Sequence, residues 1–79
     1  ENYIYHDKSS NRLFVKKLEG AVTKFRLYNI TGQNVMELTD VDRTVLENGL
    51  QLPTMSTGTY IAVFRTDTNN IITKKIIKP

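Results

Sequence analysis

Few side chains in this sequence could cut a bond, hold a metal or read a charge, and their spacing limits what each can do. His6 is the sole histidine and the one side chain whose unperturbed pKa lies close to neutrality. No serine or carboxylate stands with it in a nucleophile context, and the chain has no cysteine, so a nucleophile–base–orienter triad cannot be assembled. Flanked by Asp7 and Lys8, His6 is expected to be a solvated side chain. Asp40 and Asp42 have the i, i+2 spacing of calcium loops, but neither the glycine nor the closing glutamate of such a loop follows them. No Asp or Glu stands inside an apolar run that would raise its pKa for acid–base work. The four glycines form no phosphate cradle. No catalytic residue, metal ligand or cofactor is therefore expected. The remaining chemistry is charge: Lys74, Lys75 and Lys78 close the chain, either as a recognition element or as a charged edge that blocks aggregation.

The elements that carry these residues must fit into 79 residues, enough for one domain over residues 1–79 and too few for two. A chain this short buries only roughly 60 to 65% of its unfolded surface, so a deep catalytic cleft would consume much of its core. The formal net charge of +3 is spread along the sequence. It forms neither the dense basic stripe nor the stacking-aromatic motif of a nucleic-acid reader. No apolar run approaches the 18 to 20 residues of a membrane span, and a soluble domain is expected. With no initiating methionine and no signal-peptide pattern, Glu1 reads as a processing boundary inside a longer protein.

Apolar and polar residues alternate in short runs, with turn residues every 8 to 12 positions, the pattern of a sandwich or barrel. Strands are predicted over Tyr3–Tyr5, Arg12–Leu18, Thr23–Asn29, Asn34–Leu38, Val45–Leu52, Thr59–Thr66 and Ile71–Lys78. About seven strands is the number of a small immunoglobulin-like antiparallel β-sandwich. Alternation puts Leu13 with Val15, Phe25 with Leu27, and Leu50 with Leu52 on inward faces. The run from Tyr60 to Phe64 is apolar on both faces, as for a central strand covered on both sides. Its inward set is Tyr60, Ala62 and Phe64, or else Ile61 and Val63. Gly32 and Gly58 supply turn conformations before the strands that follow them. Thr68-Asn69-Asn70 reads as a hairpin turn, and Pro53 ends the strand before it.

Three segments carry a family resemblance. Phe25-Arg26-Leu27-Tyr28-Asn29-Ile30-Thr31-Gly32-Gln33-Asn34-Val35 is similar to a strand–turn–strand motif of alternating apolar residues, then Tyr-Asp-x-x-Gly, a basic residue, x and Val. Asn29 replaces the Asp and Gln33 the basic residue. Leu50-Gln51-Leu52-Pro53-Thr54-Met55-Ser56-Thr57-Gly58-Thr59-Tyr60-Ile61 resembles an apolar-Asp-Leu-Ser-x-Leu-x-x-Gly-x-Tyr segment, with Gln51 for Asp and Met55 for Leu. Lys74-Lys75-Ile76-Ile77-Lys78 resembles a closing Lys-Lys-apolar-apolar-Lys strand. Tyr5-His6-Asp7-Lys8 falls where the pattern has Tyr-Pro-Asn-Pro, without the prolines. In this order and spacing the segments resemble the type A C-terminal sorting domain of the Bacteroidota type IX secretion system.

The resemblance implies a secretion signal that follows a cargo domain. It implies a fold held in the periplasm, recognition by an outer-membrane translocon and its shuttle component, and removal by a sortase-like cysteine protease. The cargo would then be secreted or kept at the cell surface. Tyr28, Gly32, Val35, Leu52, Gly58 and Tyr60 would be the structural motif positions. Recognition would fall on Lys74, Lys75, Ile76, Ile77 and Lys78, because an edge strand offers backbone hydrogen bonds and alternating side chains to a partner. The rival class is an immunoglobulin-like module binding carbohydrate or a neighbouring domain, which needs an exposed aromatic row such as Tyr3, Tyr5 and Phe14, or an apolar patch.

Overall fold

The computed structural model describes residues 3–79. The elements are β1 (Tyr3–Asp7), β2 (Arg12–Lys16), β3 (Val22–Asn29), β4 (Asn34–Val41), a helix α1 (Arg43–Asn48), β5 (Leu50–Gln51), β6 (Gly58–Thr66) and β7 (Ile71–Lys78). They form two antiparallel sheets, one of order β1-β2-β5 and one of order β4-β3-β6-β7. The inward residues of each strand bury the core between the two sheets: Leu13 and Val15 from β2, Phe25 and Leu27 from β3, Ala62 and Phe64 from β6, Ile76 from β7. Phe25 and Phe64 lie directly opposite each other, with ring centroids 5.0 Å apart and planes tilted by 46°. Such a tilted pair contributes about 0.5 to 1.5 kcal/mol beyond the burial of its area. The architecture is the small antiparallel β-sandwich the alternation predicts.

The inward set of β6 is Tyr60, Ala62, Phe64 and Thr66, all buried, while Ile61 and Val63 point outward and are half-buried. β6 is central in its sheet, but its outer side chains have no second layer over them among the described residues. This corrects the expectation of cover on both sides. The shortest principal extent of the domain is 19 Å, room for two sheets about 10 Å apart and no more.

The expected strand Val45–Leu52 is also corrected. Residues 43–48 are helical, and only Leu50–Gln51 pair with β2. Asp42, in extended conformation at the helix N-cap, and Gly49, at φ 104° after its last residue, are the punctuation that short helices favour. Leu46 is fully buried while its neighbour Val45 is 43% exposed, so the turn of helix serves to drive one leucine under the sandwich. Arg43 anchors it by donating to the carbonyls of Leu18 and Gly20. The expected strand Arg12–Leu18 stops at Lys16, because Lys17 turns the chain at φ 57°; Leu18 still reaches the core.

His6 is corrected as well. It is half-buried, with Nε2 2.9 Å from Asn11 Oδ1, and Asn11 Nδ2 donates to the Pro53 carbonyl. The neighbouring Asp7 carboxylate closes the β1–β2 turn, accepting from the Ser9 amide, the Ser9 hydroxyl and the Ser10 hydroxyl. Those hydroxyls, Ser10 first, hold its pKa below the ordinary carboxylate value. Without the prolines of the pattern it resembles, this turn is closed by the hydrogen bonds of Asp7.

Candidate functional site

The three motif segments come together in one corner of the four-stranded sheet. Antiparallel register sets Tyr28 opposite Ile61 and Asn29 opposite Tyr60; on the other side of β6, Gly58 faces Lys78, Tyr60 faces Ile76 and Ile61 faces Lys75. The rows Tyr28–Ile61–Lys75 and Asn29–Tyr60–Ile76 therefore join all three motifs across β3, β6 and β7. Residues that are far apart in sequence meet because each segment supplies one strand of the same sheet.

The first motif organises the turn into β4. Asn29 Oδ1 accepts from the Thr31 amide, the Thr31 hydroxyl and the Gln33 amide at 3.1, 2.8 and 2.9 Å. Gly32 sits at φ 88° with open space where a Cβ would lie, so its requirement is conformational rather than steric. Asn29 Nδ2 also donates to Gln33 Oε1 at 2.9 Å. The two departures from the family pattern are thus in contact: an amide–amide hydrogen bond stands where the pattern's acid and base would form an ion pair. Val35 follows at the bulge between β3 and β4. It lines a shallow cleft of about 220 Å³ with Asn29, Pro53, Met55 and Tyr60.

The second motif closes the core below that turn. Leu52 is buried and its amide donates to the Asn11 carbonyl. The Gln51 amide nitrogen donates to the carbonyls of Ser10, Asn11 and Leu52, a task that the acid at this place in the pattern could not perform, since an ionised carboxylate only accepts. Gly58 opens β6, and Tyr60 is buried with its hydroxyl donating to the Ser56 carbonyl at 2.8 Å.

The third motif is β7, an edge strand paired with β6 alone among the described residues. Its register runs through eight consecutive pairs without a shift. Alternation divides the lysines. Lys74 and Lys78 flank buried Ile76 on the core-facing side and are half-buried, whereas Lys75 is exposed on the outer face with Ile71, Thr73 and Ile77. The cluster that looks single in sequence is two groups on opposite faces. Ile71 and Ile77 are 59% and 51% exposed, so the outer side of this edge is apolar at both ends.

On the same outer face stand three more cations: Arg26 of the first motif and Lys24, both from β3, and Arg65 from β6. Alternation within Val22–Asn29 is the signal that would have found Lys24 and Arg26, whereas Arg65 is placed by the register of β6 against β3. Lys24 and Arg26 both bond Glu37 of β4, at 3.2 and 3.1 Å. Lys24's ammonium, with Arg26 behind it, holds the Glu37 carboxyl below its ordinary value. The Tyr28 phenol oxygen and Glu37 raise the pKa of Arg26. Among the described residues neither Arg65 nor Lys75 has an acidic partner.

Other surfaces hold less. Tyr3, Tyr5 and Phe14 do share the outer face of the three-stranded sheet. The Tyr5 and Phe14 rings are stacked on each other at 4.8 Å and 7°, and Phe14 leans over Gly49, where an added Cβ would come within 2.8 Å of it. The stacked faces of Tyr5 and Phe14 are spent on each other, while Tyr3 stays 58% exposed. No cluster of three or more His, Asp or Glu side chains able to hold a metal occurs among the described residues, and no helix there is long and apolar enough to cross a membrane.

A protein-family model described as the secretion system C-terminal sorting domain matches residues 3–79. Comparison with curated proteins and with solved structures returns no match.

Proposed function

From the premise that this chain belongs to the family of secretion system C-terminal sorting domains, we propose that its recognition element is the last strand, β7. The family establishes the activity itself: the chain is a type IX secretion sorting signal, which implies a cargo upstream, engagement with the type IX machinery, and export across the outer membrane to secretion or the cell surface. A sorting-signal family is not a catalytic one, and we read this domain as a signal with no enzymatic activity of its own, one unit over residues 1–79 of a longer secreted protein.

The observation that carries the proposal is the regular, uncapped edge of β7. An edge strand presents unpaired amides and carbonyls to any chain that aligns with it, and strand addition with side-chain pockets is a common way to read such an edge. Lys74, Lys75, Ile76, Ile77 and Lys78 take different parts in this reading. Ile76 holds the strand to the core, Ile77 and Lys75 face the partner on the outer side, and Lys74 and Lys78 rim the inner side. The partner is the outer-membrane translocon with its shuttle component, met while the domain is folded in the periplasm. A sortase-like cysteine protease removes the domain afterwards. To test the strand's role, Lys74→Glu, Lys75→Glu and Lys78→Glu are combined, with Ile76 kept in the core, in a fluorescent cargo fusion whose sandwich still melts cooperatively. Export is expected to stop, and undiminished secretion would end the proposal.

A further inference from the structure

We infer that the outer face of the four-stranded sheet is a docking surface for an acidic, partly apolar protein surface of the secretion machinery, with Arg65 and Lys75 as the charges left without an acidic partner among the described residues. The inference rests on the sorting-signal reading and names the partner's chemistry.

The charge distribution is the first ground. The chain has 11 basic and 8 acidic residues and a net charge of +3. The outer face carries Lys24, Arg26, Arg65 and Lys75 against Glu37, that is 4 − 1 = +3. Among the described residues the other 7 basic and 6 acidic side chains come to 7 − 6 = +1, so most of their charge excess resides on this one face. Glu37 is already engaged by Lys24 and Arg26, which leaves Arg65 and Lys75 without an acidic partner among the described residues.

The second ground is an unfavourable arrangement that a partner would relieve. Lys24 lies directly opposite Arg65 across β3 and β6, and like charges in that position repel. Beside them a depression of about 60 Å³ is lined by Lys24, Arg26, Tyr28, Val63, Arg65 and Ile71. Sites for free small ligands run from about 300 Å³ upward; this one has room for a single carboxylate side chain projecting from a surface. Exposed Ile71 and Ile77 and half-buried Ile61 and Val63 share the face, which matches a protein surface of mixed character. Segments that read anionic lipid by charge alone carry about 4 to 8 clustered cations, more than Arg65 and Lys75 provide.

The test uses fluorescent cargo fused to the chain in a host with a working type IX apparatus, and reads the secreted fraction. Arg65→Glu with Lys75→Glu is expected to lower it about tenfold or more, as reversed charge both slows encounter and repels the docked partner. Arg65→Lys with Lys75→Arg keeps it within about twofold, and Lys16→Glu with Lys17→Glu, away from this face, leaves it unchanged. Should the reversed protein melt more than about 5 °C below the parent, Arg65→Gln with Lys75→Gln replaces it and an intermediate loss is expected. Wild-type secretion of the reversed protein would overturn the inference, and so would an equal loss in the charge-keeping pair. Salt-sensitive cosedimentation of the wild-type domain with vesicles of purified lipopolysaccharide, abolished by the reversal, would give the face to an anionic lipid and overturn the protein partner. If deleting the whole domain leaves export intact, the sorting-signal reading fails; if deletion stops export and reversal does not, only the docking face fails.

Discussion

The two edges of the four-stranded sheet are built in opposite ways. β4 is a guarded edge: a bulge breaks its register beside Tyr28, Asp40 turns at φ 54° near its end, and Glu37 is engaged by two cations of the neighbouring strand. β7 runs eight pairs without interruption, leaves exposed isoleucines on its outer side, and has no ion-paired residue among the described ones. Bulges and inward or paired charges are the usual protection of an edge against adventitious pairing. A domain that protects one edge and leaves the other regular has a use for the second. The lysines of β7 fit both needs, since charge limits self-association while still permitting a complementary partner.

The comparison breaks most severely if β7 is detached. Ile76 is 1% exposed and is the strand's one fully buried side chain, so Ile76→Ala is expected to cost about 2 to 4 kcal/mol, measured as a lower urea midpoint. In a domain of this size that is a large share of total stability. Met36→Ala on β4, where the side chain is only half-buried, should cost less than half as much; equal losses would mean that the two edges are held alike.

A smaller effect is expected where β4 begins. Asn29→Ala removes the acceptor of three hydrogen bonds and is expected to cost about 1 to 3 kcal/mol. Asn29→Asp combined with Gln33→Lys should be close to neutral, because the carboxylate keeps the accepted bonds and gains an exposed ion pair worth about 0 to 1 kcal/mol. A double-mutant cycle in urea checks this, and a double mutant as damaged as Asn29→Ala would refute the contact between the two departures.

The smallest effect is the acid dependence of the guarded edge. The pKa of Glu37 is depressed from its ordinary value of 4.5, chiefly by the Lys24 hydrogen bond. Its contribution is therefore fully present above that value and is lost as the pH falls through the lower folded-state pKa. Glu37→Gln should flatten the acid limb of the stability profile below about pH 4.5 and leave it parallel above. High salt should shrink the difference, since both partners are solvent-exposed. Asp7, depressed by the Ser9 and Ser10 hydroxyls, keeps its own acid limb and serves as the internal control.

Most of the sandwich was legible because strand alternation is a local property. β7 was placed at both ends, Ile71 and Lys78, and the inward pairs Leu13–Val15 and Phe25–Leu27 were assigned from spacing alone. The phase of β6 was not, since both its faces are apolar and only the opposite sheet decides between them. Residues 43–48 were missed because one turn of helix has too few residues to show a 3.6 period; the Asp42 and Gly49 punctuation was the available signal. The candidate site was legible as a segment, yet Lys74-Lys75 reads as one cluster until the strand's alternation separates its faces. Arg65 escaped because its importance comes from register across three strands, which no single segment contains. The role of Gln51 depends on carbonyls 41 and 40 residues away in the β1–β2 turn, a contact only the folded chain reveals.

The central claim, that the machinery reads the β7 side of the sheet, meets its most direct test in a matched pair of edge substitutions. The secreted fraction of a cargo fusion is measured for Ile71→Asp with Ile77→Asp on β7 and for Val35→Asp at the β4 bulge. All three side chains are exposed, so both proteins should stay folded, with melting temperatures within about 5 °C of the parent. The account predicts that the β7 pair loses export about tenfold or more while Val35→Asp stays within about twofold of the parent. Equal export by both proteins, or a loss confined to Val35→Asp, would contradict it.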